Sequence, residues 1–209
     1  MTDPETLFEP LIDGILAEGY GLVDAFLTPD EVTYLRNRLH QRQAAGQFRE
    51  AGIGRAAESS GQAVVEKSIR GDEILWLDTD TASPEERLFL GRIDQFIQYV
   101  NRTCYLGLRD SELHYARYPV GTFYTRHLDR FRADSKRKLS VICYLNDAWQ
   151  PTDGGQLAVY VPQPDGSEQT TLIDPTGGRL VCFDSGLLEH EVLPATRERL
   201  SITGWLRTS

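Results

Sequence analysis

From Glu112 to the C-terminus the chain never holds a helical period. Short apolar or alternating runs follow one another, cut by turn clusters at Pro151–Gly155, Pro162–Gly166 and Pro175–Gly178. Short strands separated by such turns build sandwiches or barrels, so the pattern predicts two sheets of a small jelly roll. The sharpest alternation is Arg197–Leu206: Arg199, Ser201, Thr203 and Trp205 share one strand face, and Leu200, Ile202 and Leu206 share the other. An arginine on the same face as a tryptophan is costly to bury without an anionic partner. With two hydroxyls beside it, its guanidinium fork can hold a carboxylate. The turn at Pro194–Ala195–Thr196 predicts that this strand pairs back on the one carrying His190.

The N-terminal part has a different texture. Leu7, Leu11, Ile12, Ile15 and Leu16 give residues 4–18 a helical spacing, and Gly19–Phe26 reads as a strand. Thr28–Pro29–Asp30–Glu31 is a capping box with proline at the first helical position, launching a helix toward Ala45. Ser83–Pro84–Glu85–Glu86 is a second, followed by Phe89, Ile93, Phe96, Ile97 and Val100 at helical spacing. These helices are expected to pack outside one sheet. Between them, residues 46–67 lose all periodicity, and a loop of that length in a compact domain is often a lid or binding loop.

The composition sets outer limits. A chain of 209 residues with 40% hydrophobic and 25% charged residues fits one globular domain. Its net charge of −9 argues against non-specific nucleic-acid binding, although Arg126, Arg130, Arg132, Lys136, Arg137 and Lys138 crowd one segment that could form part of a substrate rim. Cys104, Cys143 and Cys182 are widely separated, without a C-x-x-C pair, and read as small hydrophobes rather than a disulfide framework. The acidic start and the lack of a long apolar run lead us to expect a cytoplasmic protein with no membrane partner.

Chemistry enters at Tyr124–Asp129. Side chains two apart on a strand point the same way, so His127-x-Asp129 presents an imidazole and a carboxylate together. Four histidines exist, His40, His114, His127 and His190. His190, following the apolar run Leu180–Phe183, is the best third ligand, and His40 reads as a bystander. Two histidines and one carboxylate leave metal positions open, as in non-haem Fe(II) oxygenases, although the same ligand types suit zinc.

Together these residues resemble the Fe(II)- and 2-oxoglutarate-dependent dioxygenases, and within them the prolyl hydroxylases related to the animal oxygen-sensing enzymes. The matching residues are Ile69–Trp76, Tyr118–Pro119, Tyr124, His127-x-Asp129, Ile142–Asn146, Gly154–Leu157, His190–Val192 and Arg199 to Trp205. The resemblance implies a mainly β, α+β fold: a double-stranded β-helix over 111–209, with 1–110 supplying supporting helices, strands and a mobile finger at 46–67. It implies that His127, Asp129 and His190 hold iron, and that Arg199, Tyr144, Thr203, Ile142 and Tyr118 line the 2-oxoglutarate pocket. Arg137, Trp205, Arg70 and Asp72 would then border the peptide groove. The implied reaction uses O2 and 2-oxoglutarate, with ascorbate stimulating, to form 4-hydroxyproline, succinate and carbon dioxide. The presence of Asp129 favours hydroxylation over halogenation. The bacterial branch points to elongation factor Tu as candidate substrate, with oxygen sensing as a wider role and a monomer as the expected state. The alternatives are another 2-oxoglutarate oxygenase, acting on nucleic acid or a small molecule, and a non-catalytic metal-binding jelly roll. On this reading residues 46–67 contribute to substrate selection, and their deletion lowers turnover of a protein substrate, as measured by mass spectrometry of the target proline.

Overall fold

The computed structural model describes residues 5–52, 66, 68–130 and 136–208. The first helix, α1 (Glu5–Glu18), ends where Gly19 takes φ 81° and turns the chain into strand β1 (Tyr20–Val23). That strand stops three residues short of the expected Phe26, because Ala25 adopts φ 58° and tucks Phe26 and Leu27 into the core. Both capping boxes form. The Thr28 N–H donates to Glu31 Oε2 (2.8 Å) and the Glu31 N–H to Thr28 Oγ1 (3.3 Å), opening α2 (Pro29–Ala44). Ser83 and Glu86 reciprocate in the same way (2.7 and 3.3 Å), opening α3 (Pro84–Cys104). His40 is half-exposed near Glu198, away from the putting-together of any site.

The strands that follow are β2 (Arg49–Glu50), β3 (Glu73–Trp76), β4 (Asp110–Tyr118), β5 (Tyr124–His127), β6 (Arg137–Tyr144), β7 (Leu157–Pro162), β8 (Glu168–Ile173), β9 (Leu180–Asp184), β10 (Glu189–Val192) and β11 (Arg199–Arg207). They form a seven-stranded sheet in the order β1-β9-β6-β11-β4-β3-β2 and a four-stranded sheet in the order β5-β10-β7-β8. All pairings are antiparallel. This is the two-sheet jelly roll expected, with the helices outside one sheet. Of the segment 46–67, residues 53–65 and 67 lie outside the described residues, as does Arg132. The short strand β2 within it was not anticipated.

One expected pairing is wrong. β11 does not return against β10; it lies between β4 and β6 in the larger sheet. β10 has no edge to offer, since β5 and β7 already occupy both of its sides. The connection instead crosses from one sheet to the other, tied by the Gly155 N–H to Pro194 O (3.0 Å), the Gly121 N–H to Ala195 O (2.8 Å) and the Thr196 N–H to Asp153 O (2.8 Å). His190 and Arg199 therefore face each other from opposite sheets.

Two cores result. Leu200, Ile202 and Leu206 of β11 pack with Leu113, Val141, Cys143 and Cys182 against Phe8, Leu35, Phe89 and Phe96 of the helices. Between the sheets, Ala116, Tyr118, Ile142, Tyr144, Leu157, Val159 and Phe183 form the second cluster. All three cysteines are free, Cys143 and Cys182 buried as expected and Cys104 only partly so. Among the described residues no helix is long and apolar enough to cross a membrane. The contact of α1 with β1 depends on Gly21, where an added Cβ would stand 2.0 Å from Leu11 O. Gly21→Ala is therefore expected to destabilise the fold by about 1–3 kcal/mol, seen as a lower midpoint in thermal denaturation.

Candidate active site

Antiparallel register brings the two histidines together. His190 on β10 stands directly opposite His127 on β5, with ring centroids 4.3 Å apart. Each ring is fixed by its Nδ1, which lies 2.7 Å from Thr125 O in His127 and 3.1 Å from Leu188 O in His190. Carbonyls only accept, so both Nδ1 atoms carry the proton, and both Nε2 lone pairs are left for a metal. Burial pushes the His190 pKa down to about 4, which keeps that lone pair unprotonated at neutral pH. Tyr124 stacks on His127 (centroids 3.6 Å, 15° between planes), and the Arg70 guanidinium covers the other part of the stack, 4.3 Å from the tyrosine ring centre.

Asp129 completes the cluster by a different route from the one alternation predicts. β5 ends at His127, so Asp129 lies beyond the strand. Its carboxylate accepts a 2.6 Å hydrogen bond from Ser140 on β6, and its oxygens lie 3.5 Å from His127 Nε2 and 3.7 Å from His190 Nε2. Burial alone would raise its pKa, but His190, His127 and the Ser140 hydroxyl outweigh that and hold the carboxyl below the usual range. One ligand atom from each of the three residues falls within 4.8 Å of the others. The set suits Fe(II) in number and type, with positions left open for further ligands.

Facing it from β11 is Arg199, 1% exposed. Its Nε donates to Gly155 O (2.9 Å), and its guanidinium lies over the rings of Tyr118 and Tyr144 at 5.1 and 5.0 Å. Arg199 Nη2, the Tyr144 hydroxyl and Ser201 Oγ are buried with no hydrogen-bond partner among the described residues. Among these residues no carboxylate forms an ion pair with Arg199. A buried cation with an unanswered N–H beside two unanswered hydroxyls fits one end of a dicarboxylic acid. Thr203 lines the same cavity, but its hydroxyl donates to Val141 O (3.0 Å), so the uncommitted hydroxyl on this strand is that of Ser201.

The remaining expected residues surround this cavity. Ile142, Tyr118, Arg70, Asp72 and Trp205 line it directly. Arg70 and Asp72 form a two-pronged ion pair (2.7 and 2.6 Å), positioned by pairing of Ile69–Gly71 with Phe123–Thr125. Arg137 reaches the site through Trp205, its guanidinium 3.4 Å from the ring centre, and faces Glu112 at 3.4 Å. The basic segment is not one open patch, since Arg126 pairs with Glu168 and Glu189 on the smaller sheet. Sequence reasoning missed Ser140 and gave no role to His114, which packs against Trp76 and Trp205 (4.7 and 5.8 Å) in the cavity wall. Alternation could have found His114, four residues before Tyr118 on the same face of β4.

Comparison with known proteins agrees with this geometry. The family model for the 2OG-Fe(II) oxygenase superfamily matches residues 113–207. A hypoxia-inducible factor prolyl hydroxylase of Caenorhabditis elegans is 32% identical over 206 residues, covering 94% of this chain; the chain spans only 28% of that relative's length. The crystal structure of a Pseudomonas putida prolyl-4-hydroxylase is similar with TM-score 0.81 and 40% identity, over 95% of this chain and 97% of that one. A Trichoplax adhaerens prolyl hydroxylase, solved in complex with a hypoxia inducible factor oxygen degradation domain peptide fragment, gives TM-score 0.85 and 28% identity over 98% and 90%.

His114 is almost fully buried, and desolvation, helped by nearby Arg70, lowers its pKa from 6.5 to about 3. The unfolded chain therefore binds a proton that the folded chain refuses between those two values. Stability is complete above about 6.5 and falls as pH drops below it. From about pH 7 to about pH 5 the metal-free protein is expected to lose about 2 kcal/mol through this residue. Thermal midpoints measured across that range should show a shallower decline in His114→Met; an equal decline would exclude His114 as the source.

Proposed function

Because the chain belongs to the Fe(II)- and 2-oxoglutarate-dependent oxygenases, in their prolyl hydroxylase family, we propose that it is a protein prolyl 4-hydroxylase. The observation that carries this reading is the pairing, across one cavity, of the His127–Asp129–His190 cluster with the unanswered Nη2 of Arg199. We assign Fe(II) to the first and the far carboxylate of 2-oxoglutarate to the second. When bound, the iron and 2-oxoglutarate together turn O2 into the oxidant for a prolyl C4–H bond, releasing succinate and carbon dioxide.

The chain's own residues do the rest. The Nδ1 contacts of both histidines to backbone carbonyls fix the rings with Nε2 turned toward the cluster, and Tyr124 and Phe183 hold the rings face and edge. Arg199 and Tyr144 orient the co-substrate by two donors aimed at one carboxylate. Leu157, Val192 and Ile142 exclude water from the pocket floor. Trp205 and the Arg70–Asp72 pair border the cavity, where we place the peptide. We take elongation factor Tu as the candidate substrate on the resemblance to the bacterial branch, with ascorbate as a stimulant, oxygen sensing as a wider role, and the cytoplasm as the compartment of a monomeric enzyme.

Incubation with Fe(II), ascorbate, 2-oxoglutarate and cell extract is expected to add the mass of one oxygen atom to a proline of a target protein. Consumption of 2-oxoglutarate without hydroxyproline would redirect the reading to another substrate class. No consumption at all would leave a metal-binding module. Arg199→Ala is expected to raise the 2-oxoglutarate requirement by about 10- to 100-fold, the worth of a hydrogen bond to a charged group, while an unchanged requirement removes the pocket assignment.

A further inference from the structure

We propose that Ser140, braced by Ser185, is a positioning residue that makes Asp129 a metal ligand through one oxygen only. The inference rests on the reading of His127, Asp129 and His190 as the iron site. Both histidines are placed by the β5–β10 ladder, but Asp129 lies two residues past the end of β5, where no ladder fixes it. Its hold comes instead from the other sheet. Ser140 is 1% exposed, and its hydroxyl donates to Asp129 Oδ2 at 2.6 Å. Ser185 is 0% exposed, with its Oγ 2.9 Å from Ser140 Oγ. A serine hydroxyl has one proton, and the carboxylate takes that of Ser140, so Ser185 must donate to Ser140. The backbone of Ser185 is itself pinned on both sides: its N–H donates to Lys138 O (3.0 Å), and its carbonyl accepts from the Arg130 N–H (2.8 Å). The result is a directed chain of two buried hydroxyls ending on one carboxylate oxygen.

That direction has a chemical consequence. With Oδ2 engaged by a charge-assisted hydrogen bond, Oδ1 is the oxygen free to bind a metal. Two imidazoles and a one-oxygen carboxylate leave room for a chelating co-substrate and O2, whereas a carboxylate clasping with both oxygens would take up one of those positions. A residue that only filled space between the sheets would leave metal affinity untouched when shortened.

The test titrates metal-free protein with Co(II) under anaerobic conditions, following the visible absorption, whose intensity reports coordination number, alongside the thermal midpoint of each variant. Ser140→Ala is expected to weaken Co(II) binding about 10- to 100-fold and to change the band intensity, the usual effect of losing a group that orients a ligand. Ser140→Thr, which keeps the hydroxyl, should restore both, and Ser185→Ala should fall between. Wild-type affinity and spectrum in a folded Ser140→Ala protein would overturn the proposal. Asp129→Ala separates the two readings: if it abolishes Co(II) binding while Ser140→Ala does not, only the serine assignment fails; if it changes nothing, the iron site fails as well.

Discussion

The register that sets His190 directly opposite His127 is the constraint on which the rest depends. In an antiparallel ladder a slip by one residue would send one imidazole to the opposite face of the smaller sheet and out of the cavity. The register is held from both sides. β7 pairs with β10 along Leu157–Tyr160, and Leu157 and Val159 sit in the inter-sheet core, so the burial that stabilises the sheet also fixes which way His190 points. On the other side β5 is joined by Ile69–Gly71, which carries Arg70 onto Tyr124 and presses that ring onto His127.

A single strand joins the two functions of the larger sheet. β11 runs between β4 and β6, its aliphatic face sealed by the helices and its polar face turned to the histidines. The rigidity that the helix-facing core imposes on Leu200, Ile202 and Leu206 is passed directly to Arg199, Ser201 and Trp205, one bond along the backbone. Asn146 locks the start of the strand, accepting from the Leu200 N–H (2.7 Å) while donating to Pro175 O (2.7 Å). A long, always charged side chain is thereby presented with little freedom left to lose on binding.

Local chemistry was legible in the sequence and remote pairing was not. The capping boxes at Thr28 and Ser83 could be read because every interacting group lies within three residues, and the two faces of Arg199–Leu206 because alternation is a property of one strand. The partner of β11 was misjudged, since a short turn-like connection between β10 and β11 says nothing about whether β10 has a free edge. The strand at Gly19 ended early at a left-handed Ala25, for which alanine gives no signal. Asp129 met the histidines although the strand argument used to place it does not reach that far. Ser140 was invisible for the complementary reason: a serine in Lys138–Asn146 acquires meaning only when two sheets close and set its hydroxyl against a residue eleven positions away.

The charge pattern explains how a chain with net charge −9 can still draw a dianion inside. Arg70 is answered by Asp72 and Arg137 by Glu112, so the cations beside the cavity present little net field. Arg199 is treated differently: its near neighbours are two tyrosine rings and a carbonyl, none of which cancels a full positive charge. At so buried a position that charge acts over a few ångströms with little screening, so a carboxylate placed there is held more strongly than at the surface. At the opposite end the cavity presents the Asp129 carboxylate, which repels a second anion unless a cation sits between. A cation held by His127, Asp129 and His190 would offset that repulsion, so a dicarboxylic acid with one end at Arg199 would fit this pocket better with the cluster loaded than without it.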